Sequence, residues 1–296
     1  MSGEFDLIDW IRNQQRNSPL INVGIGDDLA ALNWPAGDLL LVGVDQVMDG
    51  VHFDSAVHSP RQIGRKAMNR NLSDCAAMGC LPAAAVVAVA LPKNRSLDEA
   101  KELYNGLRDA GDAFDCPIVG GDTGTWDGKL VVSVTILGKS AGQKPITRRG
   151  ARPGDGIYVT GPLGGSILGR HLTFEPRIKL GREIAPHASA MIDLSDGLSR
   201  DLPHICNASG VGAIIERSRV PIHSDAIELS RRDQISALDH ALNDGEDYEL
   251  LFTSNQDVAG GIRVGRITAE TGIFLEDERT NCVSLSPRGW EHRMRL

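Results

Sequence analysis

The chain has 296 residues, 41% hydrophobic and 24% charged, which is ordinary for a soluble protein and long enough for two domains. A formal net charge of −8, with no basic stripe interleaved with aromatics, argues against nucleic acid as the main partner. The longest apolar run, Ala83 to Leu91, is too short to span a bilayer, and the N-terminus MSGEFDLIDWI lacks a signal-peptide layout.

Apolar residues at Phe5, Ile8 and Ile11 predict a short helix from Phe5 to Arg16. The loop VGIGDD follows, then a strand from Leu39 to Val44 ending at Asp45. Ser59-Pro60 starts a helix that runs to Met78 and stops at Gly79. Asp74 falls inside it, beside Cys75, where a carboxylate needs a partner or a metal. Ala83 to Leu91 reads as a strand of a sheet covered on both faces. Ser96 to Glu99 is a capping box, and Ala100, Leu103, Leu107, Ala110 and Phe114 form a stripe that helix packing explains. A short strand, Pro117 to Val119, runs into Gly120-Gly121-Asp122, and Leu130 to Leu137 alternates as another strand.

Residues 139–154 are polar and rich in Gly, Pro and Arg, so the domain boundary is placed there, between an N-terminal domain (1–138) and a C-terminal domain (155–296). The second half opens with a strand from Asp155 to Thr160 and the turn GPLGGS, a weak likeness to a phosphate loop. A helix from Leu198 to Ala208 follows MIDLSDG, and strands are expected over Ala213 to Glu216, Tyr248 to Thr253, Ile262 to Ile267 and Gly272 to Leu275. Strands and helices mixed in both halves give an α/β (α+β) fold. Five cysteines, an odd number without CxxC, read as free thiols of a reducing compartment, so cytoplasm is the expected location.

The acids carry the chemistry. Asp27 and Asp28 follow Gly26, Asp45 ends LLLVGVD, Asp122 ends PIVGGD, Asp193 and Asp196 flank Ser195, and Glu246 and Asp247 precede a strand. Each alone is explained as a cap or turn residue. Together, at strand ends and glycine turns, they are placed to converge on a cleft and suit Mg²⁺ bridging to phosphate oxygens. The adjacent Gly120 and Gly121 allow backbone amides to approach phosphate. There is no GxxxxGK[ST], no HRDxxxxN, no GxSxG and no zinc motif.

The motifs GIGDD (24–28), VDQVMDGVHF (44–53), IGRKAMNRNLSDCAAMG (63–79), GGDT (120–123), ITRRGARPGD (146–155), IDLSDGL (192–198) and DGEDYELLF (244–252) resemble, in order and over nearly the whole chain, those of thiamine-monophosphate kinases. That family shares a superfamily with aminoimidazole ribonucleotide synthetase, selenophosphate synthetase and HypE. The resemblance implies that two-domain fold, a homodimer whose N-terminal domain binds ATP and metal, and Mg²⁺-dependent in-line transfer from ATP to thiamine monophosphate. It implies Asp28, Asp45, Asp74, Asp122, Asp193 and Asp196 as ligands of several Mg²⁺ ions. Gly121, Asp122, Arg148 and Ser195 would contact ATP, and His52, Glu246 and Trp290 the thiamine phosphate. No general base is implied, because the acceptor is an anionic phosphate oxygen. The chain departs from the family pattern at Gly43-Val44, where a hydroxyl pair is usual, at Gly164-Gly165-Ser166, where a GDS-type turn is usual, and in a shortened stretch after Ser166. Another ATP enzyme of the superfamily, or a binding paralogue without turnover, is the alternative reading.

Overall fold

The computed structural model describes residues 4–15, 17–25 and 30–289. The chain divides into two compact units, residues 1–75 with 80–142 and residues 76–79 with 143–296.

In the first unit, α1 (Glu4–Gln14) and the short pair β1 (Ile21–Val23) and β2 (Ala31–Leu32) precede a four-stranded sheet. Its strands are β3 (Leu40–Met48), β4 (Leu81–Pro92), β5 (Ile118–Trp126) and β6 (Val131–Lys139), in the order β3-β6-β4-β5. Only β4 and β5 are parallel, joined through α3 (Leu97–Asp112); the other pairs are antiparallel. α2 (Pro60–Ala77) and α3 cover one face. They approach closely because Gly64 faces Leu103 O and Gly106 faces Arg61 O, where a Cβ would stand 2.1 Å from each oxygen. The predicted capping box forms: Ser96 Oγ accepts from Glu99 N at 3.2 Å and Glu99 Oε2 from Ser96 N at 2.8 Å. Met68, Leu72, Leu107, Val132, Val134 and Ile136 fill the core.

Two expectations are corrected here. β3 continues past Asp45 to Met48, and β5 continues past Asp122 to Trp126, so neither acid ends a strand. The glycines that suggested a turn at 120–121 are accommodated inside the ladder. Among the described residues the sheet is also covered on one face only. Leu40, Val42 and Val44 are 52–63% exposed, and Val86 is 37% exposed.

The second unit holds β7 (Gly156–Val159), α4 (Arg170–Thr173), α5 (Ile178–Ile184), β8 (Ala190–Asp193), α6 (Leu198–Ser209), β9 (Gly212–Glu216), α7 (Ser224–Asp233), α8 (Ala237–Asn243), β10 (Leu250–Ser254), β11 (Ile262–Thr268), β12 (Ile273–Glu276) and β13 (Cys282–Ser284). The seven strands form one mixed sheet, β13-β12-β9-β11-β7-β10-β8. Ile157, Val159, Ile192, Leu198, Leu202, Ala213 and Val264 are among the residues of its core. Among the described residues no helix is long and apolar enough to cross a membrane. All five cysteines are free, and only Cys282 is exposed.

Candidate functional site

In the first unit the strand registers set the faces. Asp45 aligns with Val134, Val134 with Val87 and Val87 with Gly121, while Gln46, Ser133, Ala88 and Asp122 make the next row. Side chains alternate along a strand, so Asp45 lies on the helix-covered face and Asp122 on the other. Asp122 is exposed. Gly120 has open space where a Cβ would stand, whereas a Cβ on Gly121 would lie 2.1 Å from Val87 O. Gly121 is therefore required by its neighbour strand.

Asp45 of β3 and Asp74 of α2 both lie where that strand faces that helix. Arg70 Nε donates to Asp45 Oδ2 at 3.1 Å, and the Asp45 N–H donates to Asn71 Oδ1 at 3.1 Å. Asp74 Oδ2 is 3.8 Å from the Cβ position of Gly43. Beyond β3 the chain turns tightly, and His52 Nδ1 accepts from Met48 N at 3.1 Å. The fully buried Lys66 donates from Nζ to the His52 carbonyl.

A cavity of about 270 Å³ was not foreseen in the sequence. Leu7, Ile8 and Ile11 of α1, Leu103, Tyr104 and Leu107 of α3, and Val87 and Val89 of β4 line its apolar part; Gly120, Gly121 and Asp122 line its polar end. Burial pushes the Tyr104 phenol up to about 12, so it stays neutral. The apolar stripe of α3 thus does more than pack, but periodicity alone does not distinguish a cavity wall from a core.

In the second unit, two of the predicted motifs close on each other. The Glu246 N–H donates to Ser195 O at 2.7 Å and the Tyr248 N–H to Leu194 O at 2.9 Å. A Cβ on Gly245 would stand 2.8 Å from Ser195 O. Glu246 and Tyr248 both take left-handed backbone, φ 53° and 51°, which costs free energy in non-glycine residues and is held by this stitching. Asp193 is buried at the end of β8, and Ser195 and Asp196 are half-buried in the turn before α6. Asp201, which the sequence reading passed over, fixes that turn by accepting the N–H groups of Asp196 and Gly197 at 3.0 and 3.1 Å. Burial raises its pKa to about 8, with those two N–H bonds opposing and Asp196 and Asp193 adding to the rise. His204, further along α6, titrates low through burial and through Arg148 and Arg200, against the pull of Asp196.

The GPLGGS turn has a different role from a phosphate loop. Gly164 N donates to both carboxylate oxygens of Asp247 (2.9 and 3.0 Å), and Gly165 N to Asp244 at 2.7 Å. Arg170 closes the cluster, donating from one terminal nitrogen to Gly164 O at 2.8 Å and to Asp247 at 3.0 Å. Burial raises Asp247 to about 7 against Arg170 and the Gly164 N–H. Buried His240 lies between Asp244 (2.9 Å) and Asp233 (3.2 Å). Burial opposes its charge, yet the two carboxylates outweigh burial and raise its pKa. A raised folded-state pKa contributes stability that is complete below about 6.5 and is lost as pH rises through the folded value. His240→Gln is therefore expected to lower Tm more at pH 5.5 than at pH 8.5; equal losses would show that the imidazole packs there uncharged.

Asp28 and Trp290 lie outside the described residues. Gly289 is described, and a Cβ there would meet Asp196 O at 1.9 Å. Among the described residues no three His, Cys, Asp or Glu side chains group closely enough to hold a metal by themselves.

Residues 26–140 match the family described as AIR synthase related protein, N-terminal domain. A thiamine-monophosphate kinase of Rhodopirellula baltica is 39% identical, over 98% of this chain and 97% of that protein. The thiamine-monophosphate kinase structure from Stenotrophomonas maltophilia is 35% identical, with TM-score 0.81, covering 93% of this chain and 96% of that one. A structure described as AaThiL complexed with AMPPCP and TMP is 29% identical, with TM-score 0.80, covering 99% and 97%.

Proposed function

This chain belongs to the thiamine-monophosphate kinase family, and from that premise we infer its reaction: the γ-phosphoryl group of ATP passes to thiamine monophosphate, giving thiamine diphosphate and ADP. The observation that carries the nucleotide half is the cavity of the first unit, apolar between α1 and α3 and polar at Gly120-Gly121-Asp122. Its apolar part suits a purine base, and the Gly120-Gly121 backbone at its end lets a polyphosphate approach closely. Binding of the ATP analogue AMPPCP by the structural relative supports this reading. We place Gly121, Asp122, Arg148 and Ser195 against ATP, and His52, Glu246 and Trp290 against the thiamine phosphate.

The donor set fits Mg²⁺. Hard carboxylate oxygens suit it, and Mg²⁺ commonly takes one or two carboxylates and completes its shell with water and phosphate, so a cage of three protein ligands is not needed. We propose Asp28, Asp74, Asp122, Asp193 and Asp196 as its ligands. Asp45 is expected from the sequence in the same role, but its Oδ2 is taken by Arg70. When bound, the metal neutralises the repulsion between two anionic phosphates. The remaining task of the protein is placement in line. An oxygen of the acceptor phosphate bonds to the γ-phosphorus as the bond to the ADP oxygen breaks. No proton has to leave the acceptor, so no base is assigned.

We also propose a homodimer. Val42, Val44 and Val86 form an exposed apolar sheet face that a second copy would cover. Val44→Glu is expected to convert a dimer to a monomer in sedimentation; an unchanged dimer would place the interface elsewhere. Free buried thiols and an ATP-dependent reaction support a cytoplasmic location.

The testing experiment is ADP release from MgATP with and without thiamine monophosphate, with the product identified. Thiamine diphosphate formed together with substrate-dependent ADP is the expected result. ATP binding without substrate-dependent ADP would replace the kinase reading with a binding role.

A further inference from the structure

Asp45 is already matched by a cation of the chain itself. Arg70, one residue before the Asn71 that accepts the Asp45 N–H, donates its Nε to Asp45 Oδ2 at 3.1 Å. Asn71 is fixed in turn, its Nδ2 donating to Ala67 O at 3.0 Å. Four residues after Arg70, on the same helix face, Asp74 brings a carboxylate oxygen to 3.8 Å from the Cβ position of Gly43. Gly43 itself offers no side-chain oxygen. One guanidinium, its side chain only 14% exposed, therefore stands on the face of α2 that presents Asp74 to β3 and is itself bonded to Asp45 of β3. Arginine keeps its charge at any working pH, and its planar fork lets Nε hold one carboxylate while its other N–H groups serve other acceptors. A divalent ion bound to Asp45 would sit close to that guanidinium, where like charges repel strongly.

We propose that Arg70 is a resident cation of the phosphotransfer site, standing where one divalent ion would otherwise neutralise Asp45. Asp45 is then a positioning residue for Arg70 and not a metal ligand. The inference rests on the kinase reading, with metal-bound ATP as its substrate, but its test does not depend on turnover.

The test counts Mn²⁺ bound to the full chain with AMPPCP, by electron paramagnetic resonance titration. Asp45→Asn keeps an acceptor for Arg70 and removes the charge; it is expected to bind as many Mn²⁺ ions as the wild type. Arg70→Met frees Asp45 and is expected to bind one more, a gain lost again in the double variant. Loss of one ion in Asp45→Asn, or an unchanged count in folded Arg70→Met, would overturn the proposal. If Arg70→Met does not fold, the Asp45→Asn count decides alone. No Mn²⁺ beyond that held by free AMPPCP would overturn the metal reading and this inference together. A failed kinase assay with the expected counts would remove the acceptor assignment and leave Arg70 in place.

Discussion

Asp122→Asn is expected to lower turnover by about 10³-fold, roughly 4 kcal/mol of transition-state stabilisation, with little change in Tm. The side chain is exposed on the face of β5 that no described helix covers, so nothing in the core depends on its charge. Its proposed task is electrostatic. Two polyanions must meet, and a metal held by this oxygen relieves their repulsion. Asn keeps the shape and an oxygen but loses the charge. The measurement is a pair, steady-state kinetics beside thermal unfolding. Wild-type turnover would remove Asp122 from the machinery, and a large Tm loss would make it structural.

Gly164→Ala is expected to give a large stability loss in the second unit. Gly164 has φ 89°, in the left-handed region, and its Cβ would stand 2.6 Å from the backbone nitrogen of Ala241. The left-handed cost is about 1–2 kcal/mol, and forcing α8 away adds about 1–3 kcal/mol. For a unit of this size the sum corresponds to a Tm drop of about 5–15 °C. The damage would also reach the site, because the same turn binds Asp247 and Asp244 on either side of the strained Glu246 loop. KM for thiamine monophosphate should therefore rise in whatever fraction stays folded. A Tm within 2 °C of wild type, by differential scanning calorimetry, would mean that α8 yields freely.

The long periodic elements were legible in the residues. The helix begun by Ser59-Pro60, the capping box at Ser96 and the alternation from Leu130 to Leu137 appear as α2, α3 and β6, because each signal is local and each local preference agrees with burial. α5, α7 and α8 were not read from the sequence. They are short, and α7 (SDAIELSRRD) is largely polar on a surface whose apolar contact is set by distant residues. The strand-end rule misplaced Asp45 and Asp122. Gly120-Gly121 looked like a stop, yet β5 continues because β4 supplies partners as far as Trp126.

By itself the sequence determined which acids, glycines and motifs exist, and their order, which sufficed for the family and its chemistry. Only the tertiary structure decided their company. It gave Arg70 to Asp45, Asp201 to the turn at Asp196, and Asp247 to the glycine turn that resembled a phosphate loop. These partners lie between 5 and 83 residues apart along the chain, and the side-chain hydrogen bonds that join them depend on packing that no local pattern encodes. The cavity beside Gly121 has the same origin, since α1, α3 and the sheet each present ordinary apolar faces and only their spacing leaves room for a ligand.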